Sequence, residues 1–455
     1  MIDVRSWSPT VTLSSHVRAT PLDPVHLSPE DTGREPSREG GVNGLTSVFA
    51  MVVAITLPIE LPHSVSAGAL LALFLAPTIV PAVTRHPLGR WLARIALATV
   101  LIAPLITVST LSSDHFRAFS SHAALTSMTL LIGLVVQIFA VAWACSVIGV
   151  ARTALLYGIT STMNAAVHPA SWGDNAWKYA FAWSISLVVI SALARAPRVL
   201  QFLAIAVVSM YALTHDSRNS AGALLLAVLV TCLAYAVYRK SRRGRDIVVA
   251  CLLGVCAFGI YSLVTQLALD GYLGQTLQRT QIGQSTSQIP MAGRPEYGAT
   301  FALMHAKPMG LGPGVLPSGN DVQVGKTGLS NLGVVPNGSY VDGYMFQNAF
   351  EVHSVAGDLW VQFGIPGLIL AGMILVALVR ATLMMYRSKP TGDTALCLFL
   401  MFAALWDLLF SPLDANFRVV SFAAGVALWV ISARTTTNAT ATTNATATTN
   451  ATGRV

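Results

Sequence analysis

Long apolar segments recur along the whole chain and constrain its fold more than any other feature. The clearest are residues 64–84, 122–147, 219–238, 246–266 and 355–379. A helix of about 20 apolar residues crosses a hydrocarbon core of about 30 Å, so each segment is long enough to span a bilayer. Only 11% of the residues are charged and the mean hydropathy is +0.62, whereas soluble domains are about one-quarter charged. The sequence therefore predicts a multi-pass membrane protein that is embedded rather than tethered.

Basic residues crowd the short loops between these segments. They are Arg85, Arg90, Arg94, Arg195, Arg198, the run from Arg239 to Arg245, Arg380, Arg387 and Lys389. Short loops rich in Lys and Arg mark the cytoplasmic side of a membrane protein. The net charge of +8 is therefore attributed to topology and not to nucleic-acid binding.

The predicted fold is all-α, an integral membrane bundle of about 12 transmembrane helices with one large, partly helical outer loop. The helices are expected near 45–60, 64–84, 91–112, 122–147, 151–168, 176–194, 197–213, 219–238, 246–266, 355–379, 393–411 and 417–432. Thr, Ser, Asn and His dilute segment 151–168, so an interfacial helix is the alternative there. Neither an internal repeat nor a buried charge in the middle of a helix is evident.

Loop lengths divide the chain into five parts. Residues 1–43 are polar and predict a disordered cytoplasmic tail, 44–266 carry helices 1–9, and 267–352 form the long periplasmic or extracellular loop. Residues 353–433 carry helices 10–12, and the repetitive residues 434–455 predict a low-complexity cytoplasmic tail. All five cysteines lie in apolar runs, so neither a disulfide framework nor a metal site is expected.

The long loop contains a segment that is expected to be ordered. GRPEYGATFALMHAKPMGLGPG, residues 293–314, begins with a Gly-Arg-Pro turn, continues as a short helix-like stretch and ends in a glycine-rich turn. Loops this long are usually either functional or disordered. Its mixture of turn residues and spaced apolar residues favours a folded, functional segment.

The order of motifs around this segment is distinctive. Gly293-Arg294 is followed by the run from Pro308 to Gly314, then by His353 before a helix that carries Gly364-Ile365-Pro366-Gly367. Upstream, Thr214 to Arg218 precedes an apolar helix, and Trp177-Lys178-Tyr179 begins an earlier one. In this order the motifs resemble the O-antigen ligase and O-antigen polymerase superfamily of bacterial membrane glycosyltransferases, over roughly residues 120–432. Members usually carry Asn after the histidine and an acid nine residues later, where this chain has Ser354 and Gln362.

The resemblance implies transfer of a glycan from a polyprenyl diphosphate carrier to an acceptor hydroxyl at the outer face of the bacterial cytoplasmic membrane. The expected acceptor is a glycan, a lipid or a protein. The basic loops predict that both termini are cytoplasmic. Neither a cofactor nor a metal is expected, because no Asp-x-Asp motif is present. The expected partners are the lipid-linked donor, the acceptor and membrane lipid.

The implied roles fall on eight residues. Arg218 and Arg294 are expected to bind the diphosphate, because guanidinium makes forked, charge-assisted hydrogen bonds to phosphate. His353 is expected to be the catalytic base, with Glu351 or Asp358 orienting it. Gly310, Gly312 and Gly314 are expected to let backbone N–H groups approach phosphate or sugar.

Other interpretations stay open at this point. His353 is alternatively an interfacial anchor, Arg218 a snorkelling side chain and Arg294 a solvated loop residue. Asp407 and Arg418 lie at the edges of apolar runs and are either functional or a structural ion pair. A secondary transporter or a flippase for a polysaccharide precursor is the alternative function, and ligase and polymerase are not distinguished.

Overall fold

The computed structural model describes residues 43–238 apart from 60, 62–64 and 115, residues 296–332, 340–346 and 350–452, and a few residues between 266 and 278. In these parts of the chain every regular element is a helix. The one extended pairing found there is an isolated antiparallel bridge between Phe119 and Val315. The predicted helix at 246–266 and the candidate Arg294 lie outside the described residues.

Fourteen α-helices follow one another along the described chain. They are α1 Asn43–Thr56, α2 Ala67–Phe74, α3 Ala76–Thr84, α4 Pro87–Ser113, α5 Ser121–Ile148, α6 Val150–Val167, α7 Ala182–Ala192, α8 Arg198–Thr214, α9 Arg218–Tyr238, α10 Glu296–Ala306, α11 Gly319–Ser330, α12 Val355–Arg387, α13 Thr394–Phe410 and α14 Leu413–Thr452. Short π-helices cover Trp177–Phe181 and Tyr340–Met345, and a 3₁₀ helix covers Pro169–Trp172. The helix α14 extends into the repetitive C-terminal segment, where the sequence predicts disorder.

Five helices in the described residues are long and apolar enough to cross a membrane. They are α4, α5, α12, the Arg218–Tyr235 part of α9 and the Leu413–Thr435 part of α14, and the bent pair α2 and α3 makes up to six. Four shorter apolar helices cover Gly44–Thr56, Trp177–Ala192, Arg198–Thr214 and Thr394–Phe410. An all-helical membrane protein is therefore confirmed. The number of about twelve spans stays a prediction.

Segment 64–84 differs from the single helix that the sequence predicts. It forms α2 and α3, which meet at Leu75 with a bend of 80°. Pro77 lies in the first turn of α3 and Pro81 lies inside it. A proline ring removes a backbone donor and clashes with the preceding turn, so a straight helix through this segment is disfavoured. The expectation of an unbroken helix was wrong here.

The bundle has two distinguishable ends. We call the loop end the one at which α10 and α11 pack. There the Arg117 guanidinium lies 2.7 Å from the Asp321 carboxylate, and the Tyr297 hydroxyl donates to the carbonyl of Leu409 at 2.6 Å. These contacts hold α11 against the turn between α4 and α5 and α10 against the end of α13. These two helices are thus built onto the bundle.

We call the opposite end the basic end, because its turns and the helix ends beside them carry Arg85, Arg90, Arg195, Arg198, Arg387 and Lys389. A Cβ on Gly392 would lie 2.0 Å from the carbonyl oxygen of Ala194, so the turn between α12 and α13 touches the turn between α7 and α8. Partial burial, Arg380 and Arg90 together lower the pKa of His86. Burial raises the pKa of Asp393, and the charge of Arg195 opposes that shift.

Candidate functional site

The glycine turn, which we define as Gly310–Gly314, follows α10 and packs into the loop end of the bundle. Its three glycines have φ of 76°, 98° and 79°, a region that residues with a Cβ rarely adopt. A Cβ on each would also be too close to a helix. The nearest atoms would be the Trp360 carbonyl oxygen at 2.6 Å, Thr107 Oγ1 at 2.5 Å and Ala124 Cβ at 2.5 Å. Conformation and packing both require glycine here.

The backbone of the glycine turn is hydrogen-bonded to α12. Leu311 and Gly312 donate their N–H groups to the carbonyl of Val361 at 2.8 and 3.2 Å. Helix α12 is broken at Gly364, where φ is 64° and ψ is −151°, so its own hydrogen-bond ladder is interrupted close to Val361. The break supplies an acceptor and the glycine turn supplies the donors. The two motifs therefore form one interlocked unit.

Further polar contacts fix both ends of this unit. The Trp360 indole donates to the carbonyl of Pro308 at 3.1 Å, and the Thr107 hydroxyl donates to that of Pro313 at 3.1 Å. Gly310 donates its N–H to Lys307. The N–H groups of Gly310 and Gly312, which were expected to approach a phosphate, are thus bonded to protein carbonyls. The geometry gives the glycines a structural role, and a phosphate cradle is left without these two donors.

His353 lies in the turn directly before α12 with a left-handed backbone, φ 57°. That conformation is uncommon for a residue other than glycine and persists only where its surroundings enforce it. Both neighbours are held. Val352 donates its N–H to Asp358 Oδ1 at 3.0 Å, and Ser354 caps α12 by accepting the N–H of Gly357 at 2.8 Å. The partly exposed imidazole is therefore presented by a rigid turn.

The two candidate supporting carboxylates lie on either side of this turn. Asp358 is 2% exposed, and its second oxygen accepts the N–H of Leu413 at 2.8 Å. Asp358 therefore links the start of α14 to the backbone N–H of Val352. In this way it positions His353 through the backbone. Glu351 follows the π-helix Tyr340–Met345 and donates its N–H to the carbonyl of Met345 at 3.0 Å.

A charged group that we call the ion-pair cluster consists of Lys178, Asp216 and Arg218. The Lys178 ammonium lies 2.8 Å from Asp216 Oδ2, and Arg218 Nε lies 3.5 Å from Asp216 Oδ1. Asp216 has φ 54°. Lys178 and Arg218 remain 35% and 30% exposed. The fold thus brings together the two upstream motifs and leaves both cations accessible.

Aromatic and amide side chains support the cluster. Trp177 packs edge-on against Tyr211 at 4.5 Å between ring centroids, and Tyr211 stacks on His215 at 4.0 Å. The Asn175 amide donates to the carbonyl of His215 at 2.7 Å. Lys178 belongs to a π-helix, a distortion that is frequent at functional sites. These contacts join the start of the π-helix to the turn between α8 and α9.

The ion-pair cluster and His353 lie at the same end of the bundle. Turn 193–197 lies at the basic end, so α8 runs from there towards the loop end and α9 returns. Helix α9 packs against α13 and α12, and α12 begins beside His353. The ion-pair cluster and His353 thus lie on separate surfaces at the loop end of the bundle.

A small cavity lies beside the glycine turn. It has a volume of about 20 Å³ and is lined by Ala123, Ser127, Gly312, Gly314, Val315, Phe350, Val361 and Gln362. That space is sufficient for one water molecule and too small for a sugar. The buried Oε1 of Gln362 accepts no hydrogen bond within the described part of the chain. Gln362 therefore faces a water-sized space.

Sequence reasoning missed two groups. The Arg117–Asp321 pair is buried, with 2% exposure on each side chain, and the only sequence signal is the Ser318–Asp321 capping box. Lys178 belongs to a quoted motif, but its pairing with Asp216 spans 38 residues and leaves no local pattern.

Asp407 accepts a hydrogen bond from the Ser411 hydroxyl at 2.7 Å.

Comparison with known proteins does not identify the chain. No model of a known protein family matches it, and no curated protein is significantly similar to it. Within the described residues, no group of three or more His, Cys, Asp or Glu side chains has the arrangement of a metal site. The O-antigen ligase family thus stays a prediction made from the order of its motifs.

Proposed function

We propose that the chain is an O-antigen ligase-like membrane glycosyltransferase that acts in cell-surface polysaccharide biosynthesis. It transfers a glycan from a polyprenyl diphosphate carrier to an acceptor hydroxyl, as a ligase or a polymerase. The observation that carries the proposal is the shared location of the accessible ion-pair cluster and the rigid His353 turn at one end of a helical membrane bundle. A membrane-borne diphosphate can meet an acceptor hydroxyl at such an end.

The ion-pair cluster supplies the diphosphate grip. Arg218 offers forked donors that match phosphate oxygens, and Lys178 adds a compact positive charge. Asp216 neutralises one of these two charges, so the cluster keeps a net charge of +1. Arg294, which precedes α10, is the second expected guanidinium.

His353 is the base in the transfer. The imidazole takes the proton of the acceptor hydroxyl as its oxygen forms a bond to the anomeric carbon of the donor sugar. The bond between that carbon and the diphosphate oxygen breaks, and the electron pair leaves with the diphosphate. Arg218 and Lys178 stabilise the negative charge that develops there. Asp358 keeps the His353 turn in place through Val352.

The proposed orientation places the loop end outside and both termini in the cytoplasm of a bacterium. The basic turns at the opposite end support it, because cytoplasmic loops carry the excess of Lys and Arg. Cysteine introduced at Ser318 should react with a membrane-impermeant thiol reagent in intact cells, whereas cysteine at Ser241 should not. The reverse labelling would contradict both the orientation and the site.

The experiment that tests the function is the replacement His353→Gln. Transfer from a purified lipid-linked donor to acceptor in liposomes should fall by about 10²-fold or more, because general-base catalysis typically contributes 10²- to 10⁴-fold. Protein level and donor binding should not change. The exposed His168, in another turn at the loop end, provides the control His168→Gln, which should retain activity. Normal turnover of His353→Gln would mean that His353 is only an anchor.

A second function is favoured by the broken pair α2 and α3. Ser66 caps α2, and the buried Gln137 amide bridges it, at 3.4 Å, to the hydroxyl of Ser421, at 2.7 Å. Broken helices with polar groups inside the bundle are typical of transporters. A flippase for a polysaccharide precursor would move the lipid-linked donor across vesicles that lack acceptor, and a transferase would not.

A further inference from the structure

The depth of the glycine turn can be read from α12. The residues between Asp358 and Arg380 carry no charge and number 21, which is about the length that crosses a hydrocarbon core. Gly364 lies five residues inside this stretch, or about 8 Å below its start at 1.5 Å per residue. A Cβ on Gly364 would be 2.4 Å from the carbonyl oxygen of Met309. Met309 is therefore at the depth of the hydrocarbon.

Helix α4 gives the same depth independently. Its uncharged stretch between Arg94 and Asp114 has 19 residues. Thr107, seven residues before Asp114, lies about 10 Å below the end of that stretch. The Thr107 hydroxyl donates to Pro313, and its backbone is against Gly312. Two helices thus place the glycine turn below the membrane surface.

The backbone of this segment meets the requirement for such a location. Irregular backbone at membrane depth is tolerated only where protein covers it, because hydrocarbon offers no hydrogen bonds. Residues 310–315 are all buried. The carbonyls of Val361 and Lys307 accept three of their N–H groups, as described above, and Leu316 donates to the carbonyl of Ala118 at 3.0 Å.

Two large apolar side chains next to this segment are exposed. Phe301 on α10 is 59% exposed and Met309 is 56% exposed. The exposed surface continues on α12, where Ile365 follows Gly364 and is 42% exposed. The exposed face of a membrane-length helix such as α12 is covered by lipid. The exposed side chains of Phe301 and Met309 continue that face, so lipid covers them as well.

Aromatic contacts place α10 at the boundary of the bilayer. Tyr297 and Phe301 stack at 6.0 Å between ring centroids, and Tyr297 meets the ring of Phe410 edge-on at 5.7 Å. Phe410 lies against Trp406, which is 38% exposed. Aromatic side chains, above all Trp and Tyr, collect at the interface between membrane and water. This row runs from the end of α13 onto α10.

We propose that residues 308–315 re-enter the membrane from the loop end, and that α10 lies in the interface with Phe301 and Met309 in contact with lipid chains. Residues 296–315 then belong to the membrane surface and not to a domain that stands in water. This inference does not depend on the proposed transfer reaction.

Spin labels on single cysteines test the depth directly. The full chain, with its own five cysteines replaced by serine, receives Met309→Cys and is reconstituted in phosphatidylcholine vesicles. Collision with oxygen, which concentrates in lipid, is compared with collision with a water-soluble nickel chelate. Val376→Cys, on the exposed face of α12, is the control for lipid, and Thr327→Cys, on the exposed face of α11, is the control for water.

The label at Met309 should resemble the label at Val376, with oxygen collisions at least about threefold more frequent than nickel collisions. A label at Met309 that behaves like Thr327 would overturn the proposal. Spin–spin broadening at Met309 that grows with protein density would mean that a second copy covers the face, which also overturns it. If the cysteine replacements prevent folding, photolabelling of the unaltered chain by a lipid with a diazirine in its acyl tail decides. Phe301 and Met309 should then be labelled and Thr327 should not.

Discussion

The glycine turn and the ion-pair cluster are built alike but use their polar groups in opposite ways. Each contains residues with positive φ, at Gly310, Gly312 and Gly314 in one and at Asp216 in the other. In the glycine turn, the backbone donors are bonded to Val361 and Lys307 and the segment is buried. In the ion-pair cluster, two cations share one carboxylate and stay about one-third exposed.

The difference shows that a motif and its chemical availability are separate properties. The glycines permit a close approach, but the groups that approach are α4, α5 and α12. The cluster holds its cations in place without enclosing them, so an anion from the membrane can still reach them. We therefore expect changes in the glycine turn to affect folding, and changes in the cluster to affect function with the fold intact.

The largest effect is expected from Gly312→Val. A left-handed backbone costs a residue with a Cβ about 1–2 kcal/mol, and overpacking adds about 1–3 kcal/mol, because the new Cβ would lie 2.5 Å from Thr107 Oγ1. The free energy of unfolding should fall by about 3 kcal/mol or more. Thermal unfolding in detergent and the yield of monodisperse protein measure it.

The matched control is Gly372→Val in α12. Gly372 has no neighbour within 4 Å of its would-be Cβ and a normal helical backbone, so this change should be nearly neutral. Equal losses for both variants would break the contrast between the two regions, because the glycine turn would then be no more tightly packed than a free helix surface.

The second effect is the loss of donor binding in Arg218→Lys. Lysine keeps the charge but loses the forked donor geometry, and charged hydrogen bonds contribute about 1.5–3 kcal/mol. Affinity for the lipid-linked diphosphate should fall by about 10- to 100-fold while thermal unfolding stays unchanged. Arg387→Lys, an exposed arginine at the basic end, should leave the affinity unaltered. Wild-type affinity in Arg218→Lys would remove the cluster from the site.

The sequence predicts the coarse fold because apolar length is a local property. Segments such as 122–147 read directly as α5, and the short helix expected in 293–314 is present as α10. The bend at Leu75 was missed although Pro77 and Pro81 signal it, since the apolar run continues through both prolines.

The candidate site was less predictable, because it depends on contacts between distant residues. Nothing local indicates that Asp216 pairs with Lys178, or that Val361 accepts the N–H groups of the glycine turn. The roles of Arg218 and His353 came from motif order, and they stay predictions. A glycine-rich pattern reports a tight backbone approach but not the partner that approaches.

The third effect is a smaller loss of donor affinity in Lys178→Gln. Lys178 contributes a point charge in a partly exposed ion pair, and exposed pairs typically contribute 0.2–1 kcal/mol. Donor affinity should fall by about two- to fivefold, and its dependence on salt should become shallower because one cation is absent. Lys326, which pairs with Asp342 at 2.6 Å, provides the control Lys326→Gln at the loop end. A larger loss in the control would show that the loop, and not the cluster, attracts the donor.

The smallest effect is expected from Thr107→Val, which tests how firmly the glycine turn is bonded to α4. Thr107→Val keeps the shape of the side chain and removes the hydrogen bond to the carbonyl of Pro313 at 3.1 Å. Hydrogen bonds between membrane segments contribute about 0.6 kcal/mol on average, so the free energy of unfolding should fall by roughly that amount.

Thr99→Val in the same helix is the matched control for Thr107→Val. Thr99 is fully buried, and its hydroxyl donates to Ile95 within α4, so its replacement removes a bond inside the helix and leaves the glycine turn untouched. Spin labels at Met309 in the two backgrounds then separate stability from docking. Only Thr107→Val should raise the mobility of that label, because only Thr107 bonds the glycine turn. If both variants leave Met309 equally immobile, the remaining bonds to Val361, Trp360 and Ala118 hold the segment in the bundle without Thr107.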